Sequence, residues 1–193
     1  VKIVKEIPVV KKNIPSTEVK KVQEREYTPE NITSLKPNEI FVFGSNEGSS
    51  KGGKPTHGKG AALTAKQKFG AIQGQTEGLQ GQSYAIVTKK HWDVEKSSTL
   101  EEIRNGIDTL IEFAMEHPEK KFLVTKIGTE NAGYTIKEIY HQFKEAQDLY
   151  LADGGIPDNI ILPKEYEVRG NKNINTEVNN NKVEGKTIAI IGT

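Results

Sequence analysis

The sequence predicts an α/β domain over residues 36–163, with helices on both faces of a mixed, mostly parallel sheet. Three observations carry this. Strand-sized apolar runs alternate with segments of helical period, an order that implies parallel pairing and helical cover on both sides. Two glycine-rich segments, 44–60 and 128–133, each directly follow a predicted strand. The flanking residues lack this order: those before it are rich in Lys, Glu and Pro with short apolar bursts but no sustained period, and 164–186 are polar and too poor in apolar side chains to offset the entropy of ordering them.

The elements follow in order. Residues 39–43, EIFVF, are a nearly continuous apolar run bounded by polar residues, as in a strand buried on both faces. Gly44, Ser45 and Asn46 end it. Residues 60–69, GAALTAKQKF, read as a helix closed by Gly70. A second strand covers 83–88, SYAIVT. Ser97, Ser98 and Thr99 offer N-caps for a helix whose first turn holds Glu101 and Glu102, with Ile103, Ile107, Leu110, Ile111 and Ala114 on one face and Pro118 as its stop. A third strand spans 121–127. Thr135 caps a further helix carrying Ile136, Ile139, Tyr140, Phe143, Ala146, Leu149 and Tyr150, which closes near Gly154 and Gly155. Residues 159–162, NIIL, form a last strand.

Composition bounds the class of function. A chain of 193 residues, 34% hydrophobic, has room for one ordinary domain. Its longest apolar runs are strand-sized and far short of the roughly 20 residues that span a bilayer, so no membrane segment is expected. The start lacks the pattern of a secretory signal. There is no cysteine, hence no disulfide, thiol nucleophile or Cys-based metal site. A cytoplasmic setting is the expectation. Lysine plus arginine number 27 against 26 acidic residues, a net charge of +1, so any anion site must be local.

The two ends read as connections. Residues 1–35 are expected to be a linker or extended arm, and 164–186 a disordered linker. Residues 187–193, KTIAIIGT from Lys186 onward, look like the opening strand of a further α/β domain, which would make this chain part of a longer protein. The alternative is a final strand that docks on the main sheet.

In open α/β sheets, ligands sit outside the carboxyl ends of the strands, and both glycine-rich segments fall at that edge. In the first, glycines allow backbone amides to approach a ligand, and Gly58 and Gly60 open a helix whose N-terminus favours an anion. The segment is neither GxGxxG nor GxxxxGK[ST], which argues against dinucleotide dehydrogenases and P-loop NTPases. The second, IGTENAGYT, can wrap a diphosphate with successive amides while Tyr134 covers a sugar or base; an ordinary strand-to-helix connection is the alternative. Asn46 is placed to bind a ribose hydroxyl or orient a water, or else to cap the loop as an Asx-turn. His57 can serve as general acid, general base or phosphate ligand, or be an exposed loop histidine. Lys59 can reach a phosphate or simply decorate an exposed helix start. Trp92 can approach the ligand edge or pack as a satellite. Histidines 91, 117 and 141 lack metal-ligand spacing, and neither a metal nor a cofactor is expected.

Taken together, FVFGSN, HGKGAALTAKQKFGA, SYAIVT and FLVTKIGTENAGYTIKEI resemble the macro domain family of ADP-ribose binders and hydrolases over roughly residues 38–163. The resemblance implies a macro-domain-like three-layer α/β/α fold. It implies that Asn46 contacts the distal ribose and that His57 lies among the residues shaping that ribose, which makes these two the candidate catalytic residues. It implies a ligand-binding set of Gly58, Lys59, Gly60 and Ala61 in the first loop, beside which Gly44 and Ser45 at the strand end are further ligand-binding candidates. In the second loop the implied set is Gly128, Thr129, Glu130, Asn131, Ala132, Gly133 and Tyr134. Here the strand end reads FGSN in place of the family's asparagine-rich form, and SSKGGKPT lengthens the first loop.

Three readings follow. The first is an enzyme that binds ADP-ribose or a related phosphorylated nucleotide derivative and hydrolyses it at the ribose C1 or its phosphate. The second is a non-catalytic module that senses or sequesters such a ligand for neighbouring, covalently linked domains. Nucleic-acid binding ranks last, since it rests only on lysines 51, 54, 59, 66 and 68.

Overall fold

A nearly uninterrupted apolar strand sits at the centre of the molecule because it must be covered on both faces. The computed structural model describes residues 24–170. Strand β1 (Glu39–Asn46) lies between β3 (Ser83–Lys89) and β4 (Lys121–Val124), parallel to both. β5 (Ile160–Ile161) runs parallel to β4 at one edge, and β2 (Gly78–Gln80) runs antiparallel to β3 at the other, giving the order β2-β3-β1-β4-β5. The sheet is therefore mixed and mostly parallel, as expected. The strand β2 has no apolar run to announce it. It exists because Gly81, at φ +60°, and Gln82 turn the chain back against β3.

Period-two alternation along β1 splits the core. Ile40 and Val42 join a cluster with Ile103, Ile107, Leu110 and Ile111 of α2 (Leu100–Glu116) and Ile139, Phe143 and Ala146 of α3 (Ile136–Leu149). Phe41 and Phe43 point the other way, onto Ala62, Ala65 and Phe69 beside α1 (Gly60–Lys68). Each large side chain removed from water contributes about 1.5–3 kcal/mol, so α2 and α3 anchor the sheet. The α1 face is thinner. Its small alanines allow close approach, and Ile32 and Leu35 complete the cover.

Both long helices start at capping boxes. Thr99 Oγ1 accepts from the Glu102 amide while Glu102 accepts from the Thr99 amide, and Thr135 and Glu138 repeat the arrangement. The Thr135 amide and hydroxyl, followed by Lys96 at 3.1 Å, hold the Glu138 carboxyl down at about 2 from an ordinary 4.5. A carboxylate depressed in the folded state adds stability above its unfolded value, and that stability is lost as pH falls from about 4.5 to about 2. Glu138→Gln is therefore expected to melt below the wild type near neutral pH, with the difference closing across that window. Paired thermal melts check this, and a difference that persists in acid would contradict it.

The ends of the domain lie outside 36–163. The compact unit begins at Arg25. Within the expected arm, the Thr28 amide and hydroxyl donate to Leu162 O (3.0 Å) and Ile161 O (2.7 Å), covering the free edge of β5. Within the expected second linker, Lys164–Tyr166 form a 3-10 turn whose Tyr166 is fully buried. The expected strand at 187–193 lies outside the described residues, as do 1–23 and residues 171–186 of that linker.

Candidate functional site

The carboxyl ends of β1, β3 and β4 open on one cleft of about 710 Å³. Both glycine-rich segments reach it. Gly44, Ser45, Asn46, Gly58, Lys59 and Ala61 line it from the first, and Gly128, Thr129, Glu130, Asn131 and Ala132 from the second. The last strand pairs register irregularly there, with Ser45 opposite Val87 but Asn46 opposite Lys89, so the bulge sets Asn46 and Lys89 side by side at the mouth. Gly44 is required by this approach. A Cβ on it would stand 2.7 Å from Thr88 Oγ1.

Asn46 is 9% exposed, and its Oδ1 is buried with no protein partner. A buried acceptor left unpaired costs about 1–3 kcal/mol, which a ligand hydroxyl or a water in the cleft would relieve. The Ser45 hydroxyl donates instead to Thr76 O, so Ser45 offers the cleft its backbone. Helix α1 begins without a side-chain cap at Lys59, which leaves its first amides for an anion, and Ala61 and Ala62 face the cleft.

His57 differs from its expected place. It does not line the cleft; its ring is fully buried against Phe43, edge to face at 5.3 Å. Nε2 lies 3.2 Å from Ile72 O and 3.1 Å from Gln75 O, so it carries the proton and pins the turn after α1. Its backbone sits in the left-handed region at φ +43°. Three other expected residues buttress the site rather than line it. Gly60, at φ +54°, lets the first loop pass Asn131, whose Nδ2 would stand 3.3 Å from an added Cβ. Gly133, at φ +85°, closes the 3-10 turn Glu130–Ala132 against Glu95. Tyr134 is 9% exposed and donates to Ser98 O, with Lys96 Nζ 5.0 Å from its ring centroid; burial pushes its hydroxyl up from the ordinary value. It anchors the second loop instead of covering a sugar or base.

Several lining residues were not singled out from the sequence, among them Thr56, Thr88, Lys89, Asp93, Glu95, Thr125 and Lys126, and Trp92 also lines the cleft. The rule that ligands gather at strand ends points to Lys89, the last residue of β3. Lys89 is 7% exposed, and its ammonium donates to Trp92 O (2.9 Å) and Asn131 O (2.6 Å), tying the loops after β3 and β4. Burial pulls this ammonium below its ordinary value, opposed by the charges of Glu95 and Asp93 and reinforced by Lys59. Asp93 accepts from the Ser50 amide (2.8 Å) and hydroxyl (2.6 Å), bonds that fix the lengthened first loop and hold the carboxyl below its usual range. Among the described residues no group of three His, Asp or Glu side chains could hold a metal ion, and no helix is long and apolar enough to cross a membrane.

Comparison of the chain with protein-family models, with curated proteins and with solved structures returns no match.

Proposed function

We propose that the cleft binds ADP-ribose or a related phosphorylated nucleotide derivative. One observation carries the reading. Two glycine-rich loops, distant in sequence, line the same cleft, and between them lies the buried, unpartnered amide oxygen of Asn46. The exposed amides at the start of α1 and the Gly128–Ala132 segment suit a diphosphate. The Asn46 oxygen suits a ribose hydroxyl, as the macro domain resemblance implies.

Binding without turnover is the simpler form of this proposal, because no imidazole lines the cleft to transfer protons near neutral pH. Hydrolysis at the ribose C1 or its phosphate is the second form, favoured by the same Asn46 oxygen, which can hold a water for attack. Calorimetric titration of the full chain with ADP-ribose tests the first, and chromatography after incubation with ADP-ribose 1″-phosphate tests the second. Asn46→Ala is expected to weaken ADP-ribose binding about tenfold. Unchanged affinity in that variant would remove Asn46 from the site.

A further inference from the structure

We propose that Lys89 selects for a phosphoryl-bearing ligand, its ammonium donating a third hydrogen bond to a phosphoryl oxygen held between the two loops; this rests on the functional reading above. An ammonium has three donors. Two of those on Lys89 reach the carbonyls of Trp92 and Asn131, and among the described residues no carboxylate lies within ion-pairing distance of it.

Its neighbours in sequence and space are provided for. Lys90 pairs with Glu102 (2.5 Å), Lys96 with Glu138 (3.1 Å) and Lys126 with Glu165 (2.7 Å). Lys59 stands in solvent. Lys89 is thus a cation more than nine-tenths buried, lining a cleft, satisfied by two dipoles, with Glu95 and Asp93 acting on it only from beyond ion-pairing distance. Burying such a charge without a direct ion-pair partner is costly, and an anion in the cleft offsets that cost. Its depressed ammonium is consistent with the same deficit. The two carbonyls also orient it, since they fix Nζ between the loops that follow β3 and β4. A charge held in place before binding loses little entropy when the ligand arrives.

The test uses the full chain with inorganic pyrophosphate and, in parallel, ADP-ribose. Pyrophosphate at millimolar concentration is expected to raise the melting temperature of the wild type. Lys89→Met, which keeps the apolar stem and removes the charge, is expected to weaken pyrophosphate binding about 10- to 100-fold. Equal stabilisation of both proteins, or of neither, overturns the assignment. Pyrophosphate binding that depends on Lys89 without any binding of ADP-ribose leaves this inference standing and defeats the functional reading. ADP-ribose binding that is equal in both proteins does the reverse.

Should Lys89→Met not fold, the wild type still decides. Pyrophosphate is expected to slow acetylation of Lys89 about tenfold, as read by peptide mass, while leaving Lys96 unchanged. A lysine that merely ties two loops would be acetylated at the same rate with or without pyrophosphate, and that result overturns the proposal.

Discussion

Tyr166→Ala is expected to lower the free energy of unfolding by about 3–5 kcal/mol, the range for deleting a buried aromatic side chain. The ring is fully buried and stacks on Phe143 with centroids 5.4 Å apart. Its hydroxyl donates to Ile127 O at 3.0 Å, on the stretch that leads from β4 into the second glycine-rich loop. Removing it opens a cavity beneath α3 and strands that carbonyl. Tyr166→Phe separates the two effects, since it keeps the ring and is expected to cost about 1 kcal/mol. Chemical denaturation of the three proteins checks this. A Tyr166→Ala cost near that of a surface substitution would mean that the residues after Pro163 are not part of the folded core.

Gly128→Ala is expected to destabilise by about 2–4 kcal/mol and to abolish ligand binding. Gly128 sits at φ +75°, and an added Cβ would stand 2.5 Å from Ile139 Cδ1. Ile139 is fully buried in α3 and cannot swing aside. Overpacking costs about 1–3 kcal/mol, and the left-handed backbone adds about 1 kcal/mol for a residue with a Cβ. Relief requires moving residues 128–134, which line or buttress the cleft. A contrasting control is Gly154→Ala, also at positive φ but with open space around its Cβ, which should lose only the backbone part and leave binding intact. Equal effects at the two positions would contradict the packing account.

The features legible in sequence were those with a local cause. Helices α2 and α3 carry their stop and start signals in Thr99, Pro118 and Thr135, and a sustained apolar face of isoleucines and leucines, so periodicity finds them. β1 and β3 are apolar enough to be read directly, and placing both glycine-rich segments at one edge follows from strand–helix alternation. Features that depend on distant residues were not legible. β2 is three residues, Gly78–Gln80, made a strand by pairing with β3 rather than by its own composition. Tyr166 is one aromatic in a polar stretch, and its burial is decided by Phe143 and Ile127. His57 looks functional because it lies among glycines, yet Phe43 and two carbonyls after α1 take it into the core. Lys89 looks like an ordinary charged strand end, and only the bulge against Asn46 and the carbonyls of two separate loops make it part of the site.

Trp92 offers the most direct test of the cleft as a nucleotide-derivative site, because it is the single tryptophan of the chain, half exposed, and lines that cleft. Its fluorescence emission should change saturably as ADP-ribose is added to the full chain, with half-saturation in the micromolar range, and the change should weaken in Asn46→Ala. Emission that stays constant up to millimolar ADP-ribose, in a protein shown to be folded, would contradict the assignment of this ligand to the cleft.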